Sequence, residues 1–174
     1  MPAHKRGAAS ASLTISSSSN TAIPAVALSG EGRPHVPPVL SSLLLTSTAF
    51  PAAHSGASAV SAAATGTYLI YSDSQAGTAT FTVLQKTAGV YHGSGSSRAC
   101  GRAPQHRSRT ARRCTYESAL GSFTHADAAG TNALRFTGRV KGRTLAAGAY
   151  TLSAVATSGE GSSSARTAAF KITR

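Results

Sequence analysis

The sequence is poor in large and in acidic side chains. Its 174 residues include no Trp, one Met, five Tyr and five Phe. A core must therefore be small and built mostly from Val, Leu, Ile, Phe and Tyr. The acidic residues stand singly along the chain, so no carboxylate pair of the kind that cleaves glycosidic bonds stands out. These five residues are Glu31, Asp73, Glu117, Asp127 and Glu160.

Long apolar runs and catalytic motifs are also absent from the sequence. No run approaches the roughly 20 apolar residues of a transmembrane helix. The basic start "MPAHKRGAAS" has no apolar segment behind it, so it is not a typical secretion signal. Neither a G-x-S-x-G elbow nor the H-E-x-x-H spacing of zinc enzymes occurs. We therefore expect no enzymatic activity and no bound cofactor or metal.

Positive charge dominates what the sequence does contain. It has 17 Lys and Arg against five acids, which gives a formal net charge of +12. Such a surface attracts polyanions, including anionic glycans, cell-wall polymers and nucleic acid. Proteins that bind nucleic acid usually supply aromatic rings for base stacking, and the Arg-rich stretch 100–114 has none. A nucleic-acid partner is therefore disfavoured.

The hydrophobic pattern predicts strands almost throughout. Apolar residues recur at every second position in short runs bounded by Gly, Ser or Pro, and no segment keeps helical spacing. About seven strands after residue 38 are typical of an antiparallel β-sandwich of the immunoglobulin or fibronectin-III kind. We expect strands at 11–16, 23–28, 40–46, 67–72, 78–85, 115–123, 132–140, 149–157 and 166–172.

Pro and Gly indicate the domain boundaries. The segment 33–38, "RPHVPP", is expected to be a stiff linker. Residues 1–32 hold only two strands, which are not stable as an isolated hairpin, so they either complete an upstream sandwich or are disordered. Residues 39–174 are the expected sandwich, and a Gly-, Ser- and Arg-rich surface loop interrupts it at 86–113. The predicted core consists of Phe81, Val83, Leu134, Phe136, Tyr150, Leu152, Val155 and Phe170.

The two cysteines bracket the stretch "CGRAPQHRSRTARRC" at 100–114. A zinc site would have no C-x-x-C pair here, and a catalytic thiol would need an ordered base that this spacing does not supply. We therefore expect a disulfide between Cys100 and Cys114. Closing a loop of this length stabilises a fold by about 3 kcal/mol, and such a bond persists in an oxidising compartment.

The arginines of this loop allow two interpretations. They are either a solvated surface that keeps the insertion soluble or an anion-binding surface. The first is favoured because no aromatic residue lies among them. Under the second interpretation, the anion-binding surface would also include basic residues of the turn after residue 138. Arg135 lies close to them in sequence. The candidate anion-binding residues are Arg102, Arg107, Arg109, Arg112, Arg113, Arg139, Lys141 and Arg143.

The stretch "HADAAGTNALRF" at 125–136 carries oxygen ligands in Asp127 and Asn132. A single carboxylate is a poor site for calcium, which takes about six to eight oxygens. A tight turn explains the same residues, since Gly and Asn tolerate positive φ. We therefore expect a turn at this position.

The C-terminal half carries a specific series of motifs. A G-x-N-x-L-x-F-x-G-R strand is followed by a basic turn, an L-x-x-G-x-Y-x-L strand and a last strand ending in F-x-I. Over about residues 36–174 the chain resembles the C-terminal immunoglobulin-like β-sandwich domains of secreted and surface proteins of actinobacteria. The resemblance implies a spacer or adhesion module without catalytic activity. The matching residues are Gly130, Asn132, Phe136, Arg139, Leu145, Gly148, Tyr150, Leu152, Phe170 and Ile172.

The stretch "ASLTISSSSNTAIPAVALSGEG" at 11–32 is similar to the final hairpin of Hydin-like β-sandwich domains of the choice-of-anchor D type. Together the two resemblances imply the tail of a longer surface protein whose export signal lies upstream. We expect an extracellular, monomeric spacer or adhesion module whose partners are neighbouring β-sandwich domains or cell-wall polymers. The alternative is an anion-binding module that holds wall polysaccharide or nucleic acid with the arginine loop.

Overall fold

The structure, a computed structural model, describes residues 8–13, 26–31, 35–60, 65–104 and 111–174. In these ranges the regular structure is strand, apart from one short 3-10 turn. Short runs of β-branched and aromatic residues between Gly, Ser and Pro favour this outcome. The strands are β1 (Ala8–Leu13), β2 (Val26–Glu31), β3 (Leu40–Leu45), β4 (Ala49–Pro51), β5 (Ala59–Val60), β6 (Thr67–Asp73), β7 (Gly77–His92), β8 (Ala99–Gly101), β9 (Arg113–Asp127), β10 (Gly130–Phe136), β11 (Arg139–Val140), β12 (Arg143–Thr144), β13 (Gly148–Ser158), β14 (Gly161–Ser162) and β15 (Arg166–Thr173).

The chain divides into two units, Met1–Val36 and Pro37–Arg174. The first unit contains the antiparallel hairpin β1–β2. The strands predicted at 11–16 and 23–28 overlap this hairpin, and residues 14–25 lie outside the described residues.

The described residues of the second unit form two large sheets and the short two-stranded sheet β11-β12. One large sheet has the strand order β3-β6-β10-β5, and the other has the order β4-β15-β13-β7-β8, with β9 on β7 and β14 on β13. All pairs are antiparallel except β15 with β4. The predicted all-β sandwich is confirmed.

The core lies between the sheets and takes every second residue of the central strands, as the pleat of a strand requires. Seven of the eight side chains predicted for the core are buried, but Val155 is only half-buried. Its neighbours Ala154 and Ala156 occupy the core positions of β13, so the prediction for Val155 is wrong by one residue. Further core residues include Leu40, Leu43, Phe50, Leu69, Tyr71, Val140, Leu145 and Ile172.

Strands β7 and β9 form one long antiparallel ribbon. The surface loop predicted at 86–113 is therefore wrong for residues 86–92, which continue β7, and for residues 99–101, which form β8 beside its end. We call residues 85–120 the arm. Residues 105–110 of the arm lie outside the described residues.

Candidate anion-binding site

The arm leaves the sandwich where β7 loses its partner β13. The last pair of these two strands joins Thr151 with Leu84. At the same place the register between β7 and β9 shifts, between Val83 and Leu84. A bulge of this kind bends a ribbon and increases its twist. From Leu84 to Tyr91 the strand then extends by about 20 Å.

We call residues 87–116 the tip of the arm. The tip is closed by a covalent bond. Strand β8 pairs with the end of β7, and β9 pairs with the other edge of β7. The predicted disulfide between Cys100 and Cys114 is confirmed, and their Cα atoms lie 6.0 Å apart. Gly89 lies beneath this closure, where a Cβ would come within 2.2 Å of the carbonyl oxygen of Gly101. The tip therefore depends on a glycine at this position.

The tip carries positive charge without local compensation. Residues 87–116 include six arginines and no Asp or Glu. Four of these arginines are described and exposed, and they flank β8 and the start of β9. Of the candidate residues, Arg107 and Arg109 lie outside the described residues. The four at the tip are Arg98, Arg102, Arg112 and Arg113.

An aromatic ring adds to this surface. Tyr91 is 44% exposed, and the guanidinium carbon of Arg98 lies 4.1 Å from its ring centroid. This is a cation–π contact. The two residues line a shallow cavity of about 410 Å³ together with Arg112 and Ser94. Neither Tyr91 nor Arg98 was among the predicted site residues, although the acid-free run that contains them is visible in the sequence.

Arg139 is not available to an anion, so its prediction as a binding residue is wrong. The residue is buried, with 9% of its surface exposed. Its guanidinium donates hydrogen bonds to the carbonyl oxygens of Gly56, at 2.9 Å, and His54, at 2.6 Å. It also donates to the carbonyl oxygen of Gly142 and to the hydroxyl of Thr144. Arg139 therefore holds two loops together.

Lys141 and Arg143 form a second basic surface, away from the tip. Both are exposed: Lys141 lies in the turn between β11 and β12, and Arg143 is the first residue of β12. They line a groove of about 550 Å³ with Leu120 and Tyr150, at the base of the arm. The predicted anion-binding residues are thus divided between the tip, the base of the arm and the interior.

The turn predicted within 125–136 is present. The side-chain oxygen of Asn132 accepts a hydrogen bond from the backbone nitrogen of Ala128 at 3.0 Å. Its side-chain nitrogen donates to the carbonyl oxygen of the same residue at 2.7 Å. Asn132 therefore closes this turn.

Comparisons with known proteins found no match: no family model, no curated protein and no solved structure is similar to the chain. The resemblances to immunoglobulin-like and Hydin-like domains therefore stay predictions. Within the described ranges, no helix has the length and apolar character to cross a membrane. The same residues contain no group of three or more His, Cys, Asp or Glu arranged to hold a metal ion.

Proposed function

We propose that the second unit is a non-enzymatic, extracellular adhesion module that binds an acidic polysaccharide with the tip of the arm. The observation that carries the proposal is the disulfide-closed tip, where four exposed arginines stand in a stretch without an acidic residue. A cationic surface of this kind attracts polyanions. Covalent closure also lowers the conformational entropy that the tip loses on binding.

The same bond supports the proposed extracellular location. Disulfides form and persist in oxidising surroundings such as the cell surface and the extracellular space. The resemblance of residues 36–174 to surface-protein domains supports the same location. We therefore propose that the module belongs to a surface protein and that neighbouring β-sandwich domains are further partners.

A polysaccharide is favoured over nucleic acid by the chemistry of the tip. Single-stranded nucleic acid is usually held by several rings on which successive bases stack. The described part of the tip exposes Tyr91, and Arg98 already covers one face of that ring. Guanidinium groups pair in bidentate fashion with carboxylates. A polymer of uronic acids matches this surface with charge and hydrogen bonds alone.

The test is binding to polygalacturonate at several salt concentrations, with dextran and single-stranded DNA as comparison polymers. In the tip variant the four described arginines of the tip are replaced by Ser. The control variant carries Ser at four exposed cations outside the arm, so both variants lower the net charge from +12 to +8. The control positions are Lys141, Arg143, Lys171 and Arg174.

We expect the wild-type protein and the control variant to bind polygalacturonate with a similar salt dependence. In the tip variant the slope of log K against log salt should fall by about three, since about four ionic contacts are lost. Equal weakening in both variants would overturn the tip as the binding site, because net charge or the basic surface of Lys141 and Arg143 would then contribute as much. Tighter binding of DNA than of polygalacturonate would overturn the partner class.

A further inference from the structure

Two buried carboxyl groups lie at the same end of the sandwich, because Asp73 pairs with Gly130, three residues after Asp127, and Asp127 pairs with Gly77, four residues after Asp73. Asp73 is the last residue of β6 and Asp127 is the last residue of β9, and these strands belong to opposite sheets. Their exposed fractions are 2% and 9%. A buried carboxylate is stable only when it is paired with a cation or well hydrogen-bonded. The surroundings of this pair therefore decide its state of charge.

Few neighbouring groups offset negative charge on this pair of carboxyl groups. A side-chain oxygen of Asp73 accepts a hydrogen bond from the backbone nitrogen of Gln75 at 3.2 Å. Both side-chain oxygens of Asp127 are buried without a hydrogen-bond partner among the described residues. The backbone N–H groups of Gly77 and of Asp127 itself lower the pKa of this carboxyl, but the opposing effects of burial and Asp73 outweigh them. No lysine or arginine is among the described groups that act on Asp127, although the chain carries 17 of them.

The remaining titratable groups around the pair are Tyr71 and His125. The Tyr71 hydroxyl lies 2.7 Å from Nδ1 of His125. Burial raises the pKa of Tyr71, and the nearby Asp127 adds to this effect, so the hydroxyl stays protonated. Burial also raises the pKa of Asp127, and the carboxyl of Asp73 raises it further. Two adjacent carboxyls in an interior do not both ionise readily.

We propose that Asp73 and Asp127 share one proton and form a latch between the two sheets that closes in acid. With the proton bound, one carboxyl group donates a hydrogen bond to the other. Without it, two carboxylates repel each other inside the protein. The folded protein holds this proton more tightly than the unfolded chain. The stabilisation is therefore complete below the ordinary carboxyl pKa and is lost as pH rises through the raised pKa.

The test compares thermal unfolding of the wild-type protein with that of Asp127→Asn between about pH 4 and about pH 8. The amide of Asn stands for the protonated carboxyl. We expect similar Tm values at the acid end and a Tm that is higher in Asp127→Asn by about 3 °C or more at the alkaline end. Glu160→Gln, which removes an exposed acid, is the control and should follow the wild-type profile.

Two further variants sharpen the test. Asp73→Asn should behave like Asp127→Asn, and the double variant should gain nothing more, because neutralising either carboxyl ends the repulsion. Parallel pH profiles for the wild-type protein and both Asn variants would overturn the latch. A rise in wild-type Tm with added calcium at the alkaline end, absent from Asp127→Asn, would show that the pair holds a divalent cation instead of a proton.

One measurement needs only the wild-type protein and covers the case in which an Asn variant does not fold. Infrared spectra report the stretch of a protonated carboxyl group directly. Persistence of this band at a pH where exposed acids are ionised would support the shared proton. Its disappearance together with the bands of the exposed acids would overturn it.

Discussion

Phe136 contacts aromatic rings from strands of the opposite sheet. The residue is fully buried on β10. Its ring stacks on Phe123 at a centroid distance of 5.1 Å and meets Phe50 and Phe170 edge-on at 6.1 and 5.6 Å. Those three rings belong to β9, β4 and β15. A chain with few large side chains thus concentrates them where the two sheets face each other.

Replacing Phe136 by Ala should lower the free energy of unfolding by about 3–5 kcal/mol, because a cavity opens among these rings. Val155→Ala is the matched control and should cost less than about 1 kcal/mol, since Val155 lies half-buried on the outer face of β13. Urea unfolding of the oxidised proteins measures both. Equal losses would mean that one of the two strands packs with its other face inward.

The sequence contained enough information to predict which residues of β13 face the core. Tyr150 and Leu152 are large and share one face of the strand, so position 154 and not position 155 continues that face. The apolar character of Val155 outweighed its position in the prediction. The nearness of Asp73 to Asp127 was not available in this way. It depends on which strands end at the same end of the two sheets, and the two positions are 54 apart in sequence number.

At the scale of elements, the arm shows where composition misleads. Its Gly, Ser and Arg content is typical of a loop, yet β7 continues to His92 because β9 supplies a hydrogen-bonding partner as far as Val90. Strand propensity depends strongly on such context. The disulfide was predictable because the two cysteines are alone in the chain, whereas β8 was not, since three residues carry no periodic signal.

Gly89→Ala should disrupt the tip of the arm. The new Cβ would meet the carbonyl oxygen of Gly101 at 2.2 Å and the ring of Tyr116 at 2.8 Å, so β8 must move away from β7. We expect the arm to lose about 1–3 kcal/mol of local stability. Hydrogen exchange of the backbone amides of the arm measures this loss.

The control for this variant is Gly101→Ala. Its Cβ would meet only the ring of His92, at 3.3 Å or more, so a shift of a few tenths of an ångström in this exposed side chain is enough. Hydrogen exchange in the arm should therefore stay close to that of the wild-type protein. Similar acceleration in both variants would show that β8 does not lie over Gly89 as described.

At the scale of the whole molecule, the covalent bond and the core lie in different places. The core cluster of the sandwich contains no residue of the arm, and the disulfide lies at the tip of the arm. The sandwich is therefore held by burial of apolar surface. The tip is held by ladder hydrogen bonds and one bridge.

Removal of the bridge by Cys100→Ser and Cys114→Ser should separate these contributions. The free energy of unfolding of the sandwich should change by less than about 1 kcal/mol, while trypsin should cleave at the arm arginines faster than in the wild-type protein. Urea unfolding and timed proteolysis measure the two effects. A global loss of about 3 kcal/mol, the full loop-closure value, would mean that arm and sandwich unfold together.

The fold class followed from alternation and turn residues, but the arrangement of the sheets did not. Strand β6 pairs with β3 and β10, and β4 pairs with β15. Such pairs are chosen by packing between distant parts of the chain. A single sequence offers local periodicity and no record of these contacts. For the same reason the sequence did not show that Arg139 is buried while Lys141 and Arg143 are exposed.

The position of β15 has a consequence for synthesis of the protein. This strand, Arg166–Thr173, lies between β4 and β13 and brings Phe170 and Ile172 into the core. The ribosome delivers it after the other described strands of the sandwich. Until then β4 lacks the neighbour that attaches it to its sheet, and the apolar faces of the earlier strands are open to water. The nascent chain therefore reaches the native pairing of β4, β15 and β13 only once β15 has been translated, and holding chaperones have most to protect before that point.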